Sequence, residues 1–227
     1  MKTLVLVLAL ALAAGGACMA AQTATIDLYT GWNLIAAPLV PLDSPDPVAV
    51  FGSVPISGYL SRWDAPQQGM MTYDEIDPTG FGNILLGDGY WLYAFSNDTV
   101  SYNGVNDGVP DNSGNKTDMW LSLPGNQLDS ENAGGWHLIG QPFSHDTPVS
   151  VSDSGDNVFF TDGTTLKTWA QAAADGWVDS GFQYWDGTVQ GMLLCSYELA
   201  DDDTLRAGKG YWVHTYKDNL AMIIPAN

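Results

Sequence analysis

This sequence predicts an all-β fold in two tandem modules, small barrel- or sandwich-like sheets, and three observations carry that expectation. Apolar residues recur in short alternating stretches, not at the 3.6-residue period of an amphipathic helix. Turn formers, including 25 glycines, punctuate those stretches. Most telling, tryptophan returns in the same local settings in each half, as one supersecondary unit repeated would do.

Gly31-Trp32-Asn33-Leu34-Ile35-Ala36-Ala37-Pro38 returns as Gly135-Trp136-His137-Leu138-Ile139-Gly140-Gln141-Pro142. Leu60-Ser61-Arg62-Trp63 is matched more loosely by Leu166-Lys167-Thr168-Trp169. Gly87-Asp88-Gly89-Tyr90-Trp91-Leu92-Tyr93 returns as Gly208-Lys209-Gly210-Tyr211-Trp212-Val213-His214. On that alignment the first-to-second tryptophan spacing is 31 and 33 residues, and the second-to-third grows from 28 to 43. The extra length places an insertion at 178–205 of the second copy.

Taken in order, Ile26 and Leu28 alternate with Thr25, Asp27 and Tyr29 in a first strand, and 31–38 supplies a second that ends at proline. Strands at 59–63, 70–74, 90–95 and 99–103 complete the first copy. The second copy offers 119–123, 136–141, 158–161, 166–169, 182–186, 189–195, 211–216 and 221–224. On each strand neighbours face opposite ways, so Trp32 and Leu34 share a side, as do Trp91 and Tyr93. Only 168–174, with its alanines, reads as a helical turn. The glycines at 87, 89, 208 and 210 suit positive φ or close backbone approach. Ser96-Asn97-Asp98 and Lys217-Asp218-Asn219 read as hairpin turns. The tryptophans are expected to pack the sheets, since a large aromatic buries about 150–250 Å².

Residues 1–20 read as a signal peptide: Lys2, an apolar run from Leu4 to Ala14, then small residues up to Ala20. The run is too short to span a bilayer, and Gly15 argues against lipid attachment at Cys18. A secreted, extracellular location follows, with no membrane span. The remaining chain divides into 21–104, an Asn/Asp/Gly-rich linker at 105–116, and 117–227. Seven basic residues against 26 acidic ones give a net charge of −19, which repels nucleic acid and anionic membrane. Cys195 is the only cysteine beyond the signal segment, so no intramolecular disulfide is available, and its apolar setting reads as a buried thiol.

The paired motifs Gly-Trp-Asn-Leu-Ile-x-x-Pro and Gly-x-Gly-Tyr-Trp-Leu-Tyr resemble a tandem β-rich repeat of bacterial and archaeal secreted and cell-surface proteins. The resemblance covers nearly the whole chain after residue 20. It implies an extracellular, non-catalytic module and supplies no catalytic residue. His137 in place of Asn33 departs from the motif.

Two candidate sites stand apart from the repeated strands. Trp177, Tyr184 and Trp185 sit among glycines and acids and would form an exposed aromatic platform for sugar rings. Asn103, Asp107, Asp111 and Asp118 surround an Asp-Gly-Val-Pro-Asp run similar to the calcium loops of thrombospondin type 3 repeats. Their oxygens would suit Ca²⁺, but Val105 and Val109 occupy intervening positions and no Glu closes the loop. The segment therefore reads first as a solvated acidic linker, with no cofactor required. Enzyme signatures are thin: three histidines lie at no metal-ligand spacing, and there is no Gly-x-Ser-x-Gly elbow. The expected function is a secreted or cell-surface structural or adhesive module, its partner an extracellular polymer or protein. The alternatives are a carbohydrate-binding protein engaging polysaccharide and a secreted hydrolase.

Overall fold

The computed structural model describes residues 21–105, 117–128, 134–149, 158–199 and 203–226. The segment read as a signal peptide and most of the linker lie outside them. In the first copy, β1 (Gln22–Leu28), β2 (Gly31–Ala36), β3 (Val40–Pro41), α1 (Pro47–Phe51), β4 (Leu60–Asp64), β5 (Gly69–Thr72), β6 (Gly89–Ala94) and β7 (Asp98–Val105) build two antiparallel sheets, ordered β1-β7-β3 and β2-β6-β4-β5. The second copy contains β8 (Met119–Leu123), β9 (Gly135–Gly140), β10 (Thr147–Pro148), β11 (Phe159–Thr161), β12 (Leu166–Thr168), α2 (Trp169–Ala174), β13 (Gly181–Asp186), β14 (Gly191–Ser196), β15 (Thr204–Leu205), β16 (Gly210–Thr215) and β17 (Leu220–Ile224). Its sheets run β12-β11-β17-β8 and β14-β13-β16-β9, with β10 and β15 as a separate pair.

The fold is all-β. Sheets pack as sandwich-like layers, and none closes into a barrel, which settles the choice left by the sequence. Ile26, Leu28, Val100 and Tyr102 from one sheet of the first copy meet Ile35, Leu60, Tyr90 and Leu92 from the other in a single core. A second core, with Trp169, Phe160, Phe182 and Tyr211, fills the second copy. Each large apolar side chain so buried contributes about 1.5–3 kcal/mol.

The sheet β2-β6-β4-β5 has the same order as β9-β16-β13-β14. This equivalence corrects the alignment of the central tryptophan. Trp63 lies on the strand that pairs with β5 and β6, and its counterpart is the strand that pairs with β14 and β16, so Trp63 matches Trp185 and not Trp169. The central-to-third spacing becomes 28 and 27 residues. The 178–205 segment is thus no insertion, because β13 and β14 within it belong to the repeated sheet. The added pieces precede it: β11, β12 and α2, whose Trp169 stacks on Phe182 at 3.8 Å in the core.

Two local readings are also corrected. Residues 96–98 and 217–219 are not hairpin turns, since β6 and β7, like β16 and β17, belong to different sheets and the turn carries the chain across the sandwich. The helix α2 forms where expected, with Thr168 in a reciprocal capping box with Gln171. The short α1 was missed although its start was legible, with Asp46 accepting from the Val48 amide and Pro47 at the first turn.

Candidate functional site

The repeated tryptophans do not form the core. On β6 the inward side chains are Tyr90, Leu92 and Ala94, while Trp91 and Tyr93 stand on the outer face and remain half-buried. On β16, Tyr211 and Val213 go inward, and Trp212 and His214 outward. The alternation is the expected one, but the tyrosines pack inside. Each also ties down the approach to its strand: the Tyr90 hydroxyl accepts from the Leu85 amide at 2.8 Å, and that of Tyr211 from the Arg206 amide at 2.7 Å. Burial raises both phenols well above their ordinary pKa.

The outer faces of the two equivalent sheets meet across a pseudo-two-fold relation, and glycine makes the meeting close. Ile35 bridges Lys209, and Asp88 bridges Ile139, the same contact seen from each copy. The Ala36 amide donates to the Gly208 carbonyl, and the Gly140 amide to the Gly87 carbonyl. In each Gly-x-Gly the two glycines have different reasons. Gly87 and Gly208 hold φ of +82° and +76°, whereas a Cβ on Gly89 would lie 2.6 Å from the Ile139 carbonyl oxygen of the other copy.

A glutamine from each copy then clasps the tryptophan peptide of the other. Gln68 Oε1 accepts from the Trp136 amide at 2.9 Å, and its Nε2 donates to the Trp136 carbonyl at 3.1 Å. Gln190 repeats this on Trp32, with the same 2.9 and 3.1 Å. Both glutamines are left-handed, with φ of 46° and 50°, a conformation that favours Gly or Asn. Glutamine stands there in both copies because its side chain is used. The glycine before each tryptophan leaves room for the clasp, since a Cβ on Gly31 or Gly135 would strike that side chain.

The rings between the clasps form one aromatic surface. Trp91 meets Trp185 edge-to-face at 5.4 Å, and the equivalent Trp212 meets Trp63 at 5.0 Å. Trp32 lies 6.0 Å from Trp91, and Trp136 lies 6.1 Å from Trp212. The row extends outward through Tyr93, Tyr59 and Phe95 at one end, and through His214 and Tyr216 at the other. In its middle opens a cleft of about 460 Å³ lined by Trp32, Ser61, Trp63, Met70, Trp91, Trp185 and Trp212. That volume suits a small-molecule or chain segment. The Ser61 hydroxyl is already paired with that of Thr72 at 2.9 Å. The Trp63 indole N–H donates to the Trp136 carbonyl, but that of Trp185 finds no acceptor among the described residues.

A second cleft of about 600 Å³ also reaches Trp63, with Arg62, Asp88 and His137 in its wall. Arg62 pairs with Asp88 at 3.1 Å and donates to the Phe81 carbonyl. Partial burial still raises the Asp88 carboxyl pKa despite that partner. His137 is buried beside Thr215, and desolvation, with His214 nearby, lowers its pKa to about 4.

The sequence-predicted platform is only partly realised. Trp185 lines the aromatic cleft, but its neighbour Tyr184 must face the other way and is core, 8% exposed. Trp177 is equally buried, with the Lys167 and Lys217 ammonium groups 3.9 and 4.1 Å from its ring centroid. The three therefore share no surface. Of the calcium candidates, Asp107 and Asp111 lie outside the described residues. Asn103 is exposed on β7 and accepts from the Thr23 hydroxyl at 3.3 Å; Asp118 accepts from the Ala226 amide at 3.1 Å. The Cys195 thiol is buried and points its Sγ at the Thr204 carbonyl, 3.7 Å away. Among the described residues no helix is long and apolar enough to cross a membrane.

Sequence reasoning missed the two glutamines. Their signal is Trp63-Asp64-Ala65-Pro66-Gln67-Gln68-Gly69-Met70 against Trp185-Asp186-Gly187-Thr188-Val189-Gln190-Gly191-Met192, with Trp-Asp, Gln-Gly and Met at identical spacing. No family model, curated protein or solved structure matches this chain.

Proposed function

We propose that this is an exported, non-catalytic adhesive module that grips neutral carbohydrate of an extracellular polymer in the tryptophan cleft shared by its two copies. The carrying observation is the cleft itself: five indoles and a methionine from both copies, about 460 Å³ in volume. Indole faces suit the C–H-rich faces of pyranose rings, and the net charge of −19 disfavours a polyanionic guest. Among the described residues no acid or base lines that cleft, and its one hydroxyl, on Ser61, is already paired, which supports binding over turnover. The resemblance to secreted repeat modules agrees with the location.

The test is retention on a panel of insoluble neutral glycans, with Trp212→Ala as the comparison. Wild-type protein is expected to be retained by at least one glycan, and the variant to lose about tenfold or more in affinity, as truncating an aromatic anchor does. Passage of the wild type through every glycan would overturn the reading.

A further inference from the structure

The aromatic cleft is not a single pocket. Beside it lies a smaller one, about 270 Å³, lined by Trp63, Trp136, Gln183, Met192 and Trp212. The strand registers make the two equivalent. Ser61 pairs across from Trp91 as Gln183 pairs across from Trp212, and Met70 faces Trp63 as Met192 faces Trp185. Trp32, Ser61, Met70 and Trp91 thus form one wall set, and Trp136, Gln183, Met192 and Trp212 form its pseudo-two-fold mate. Both pockets use Trp63 and Trp212, so they adjoin.

Resting on the carbohydrate reading above, we infer that the protein binds an oligosaccharide of repeating neutral units across two quasi-equivalent subsites, rather than one compact sugar. Duplicated walls offer the same chemistry twice, which a ligand exploits only if its own chemistry recurs along its length. The inversion between the walls is tolerable because an indole stacks on a pyranose face whichever way the chain runs. The subsites differ at one point. Ser61 leaves the first roomy and nearly apolar, while the exposed Gln183 narrows the second and brings an amide able to donate and accept.

The experiment titrates the whole protein, followed by indole fluorescence, with cellobiose and cellohexaose, chitobiose and chitohexaose, and maltose and maltohexaose. A hexapeptide of alternating leucine and valine serves as the apolar-chain probe. In the series that binds, the hexasaccharide is expected to bind about tenfold or more tighter than the disaccharide, since the second contact becomes intramolecular. Met70→Ala and Met192→Ala, both at exposed positions, should each weaken the hexasaccharide while leaving the melting curve in place. Equal affinity for the two lengths, or sensitivity to only one methionine, overturns the two-subsite inference and leaves the carbohydrate reading standing. Binding of the peptide alone, or of none of these probes, overturns both.

Discussion

The two halves share a sheet and differ in what lies beneath it. Beneath the first, α1 and the residues around Phe51, Tyr73 and Phe81 fill the core. Beneath the second, β11, β12 and α2 bring Phe160 and Trp169, and Trp177 caps the edge. The outer face is preserved instead: Trp32 with Trp136, Trp63 with Trp185, Trp91 with Trp212, Gln68 with Gln190. The elements beneath the sheet differ, while these outer rings and both glutamines recur. A surface retained in both halves while the core is rebuilt is one that a contact requires, and the first such contact is the other half.

The sharpest contrast lies between Trp169 and Trp212. Trp169 is 1% exposed and donates its indole N–H to the Asp179 carbonyl at 2.7 Å. Trp169→Ala is expected to cost about 3–5 kcal/mol by chemical denaturation. Trp212→Ala, at a half-buried ring, should cost less than half as much while removing glycan retention. An equal loss for both would end the distinction between packing and cleft tryptophans.

Glycine substitutions sharpen the pseudo-symmetry. A Cβ at Gly89 would lie 2.6 Å from the Ile139 carbonyl oxygen, whereas one at Gly210 would lie 3.1 Å from that of Ile35. Gly89→Ala should therefore destabilise by about 1–3 kcal/mol and Gly210→Ala by less, read from urea midpoints. The reverse order would show that these close approaches do not set the cost.

The clasps should rank next. Gln68→Ala removes three hydrogen bonds from a half-buried site, two to the Trp136 peptide and one to the Ala65 carbonyl, and is expected to cost about 1–2 kcal/mol; Gln190→Ala, at an exposed site, should cost less.

The last effect is pH-dependent and belongs to one half only. Asn33 holds the β1–β2 corner, accepting from the Tyr29 amide at 2.9 Å and donating to its carbonyl at 2.8 Å. His137 replaces it in the second half and is buried, with its pKa lowered to about 4 from 6.5. The unfolded chain therefore takes up this proton first. The contribution of neutral His137 is complete above about pH 6.5 and is lost as pH falls toward about 4. His137→Asn should flatten the melting temperature over that window, and an unchanged slope would remove His137 as its source.

How much of this was legible follows from where each residue finds its partner. The all-β class, the duplication and the strand alternation were readable, because glycine, proline and period-two patterning act locally. The inward tyrosines and outward tryptophans were not, since alternation gives two faces without saying which is covered. Trp169 was mistaken for the mate of Trp63 because both follow a short Leu-led strand, and only strand pairing tells them apart. Of the expected platform, Trp185 reached the cleft; Trp177 and Tyr184 did not, because acids and glycines nearby in sequence say little about burial. Gln68 and Gln190 look like ordinary turn residues until the tryptophan peptide they hold comes into view.

The central claim is that the two halves hold each other as one unit through the clasps, the glycine crossings and the shared indoles. Differential scanning calorimetry of the whole protein tests it most directly. One transition is expected, with calorimetric and van't Hoff enthalpies equal, and it should broaden or split in the Gln68→Ala/Gln190→Ala double variant. Two separable transitions in the wild type, unchanged by removing both glutamines, would contradict it.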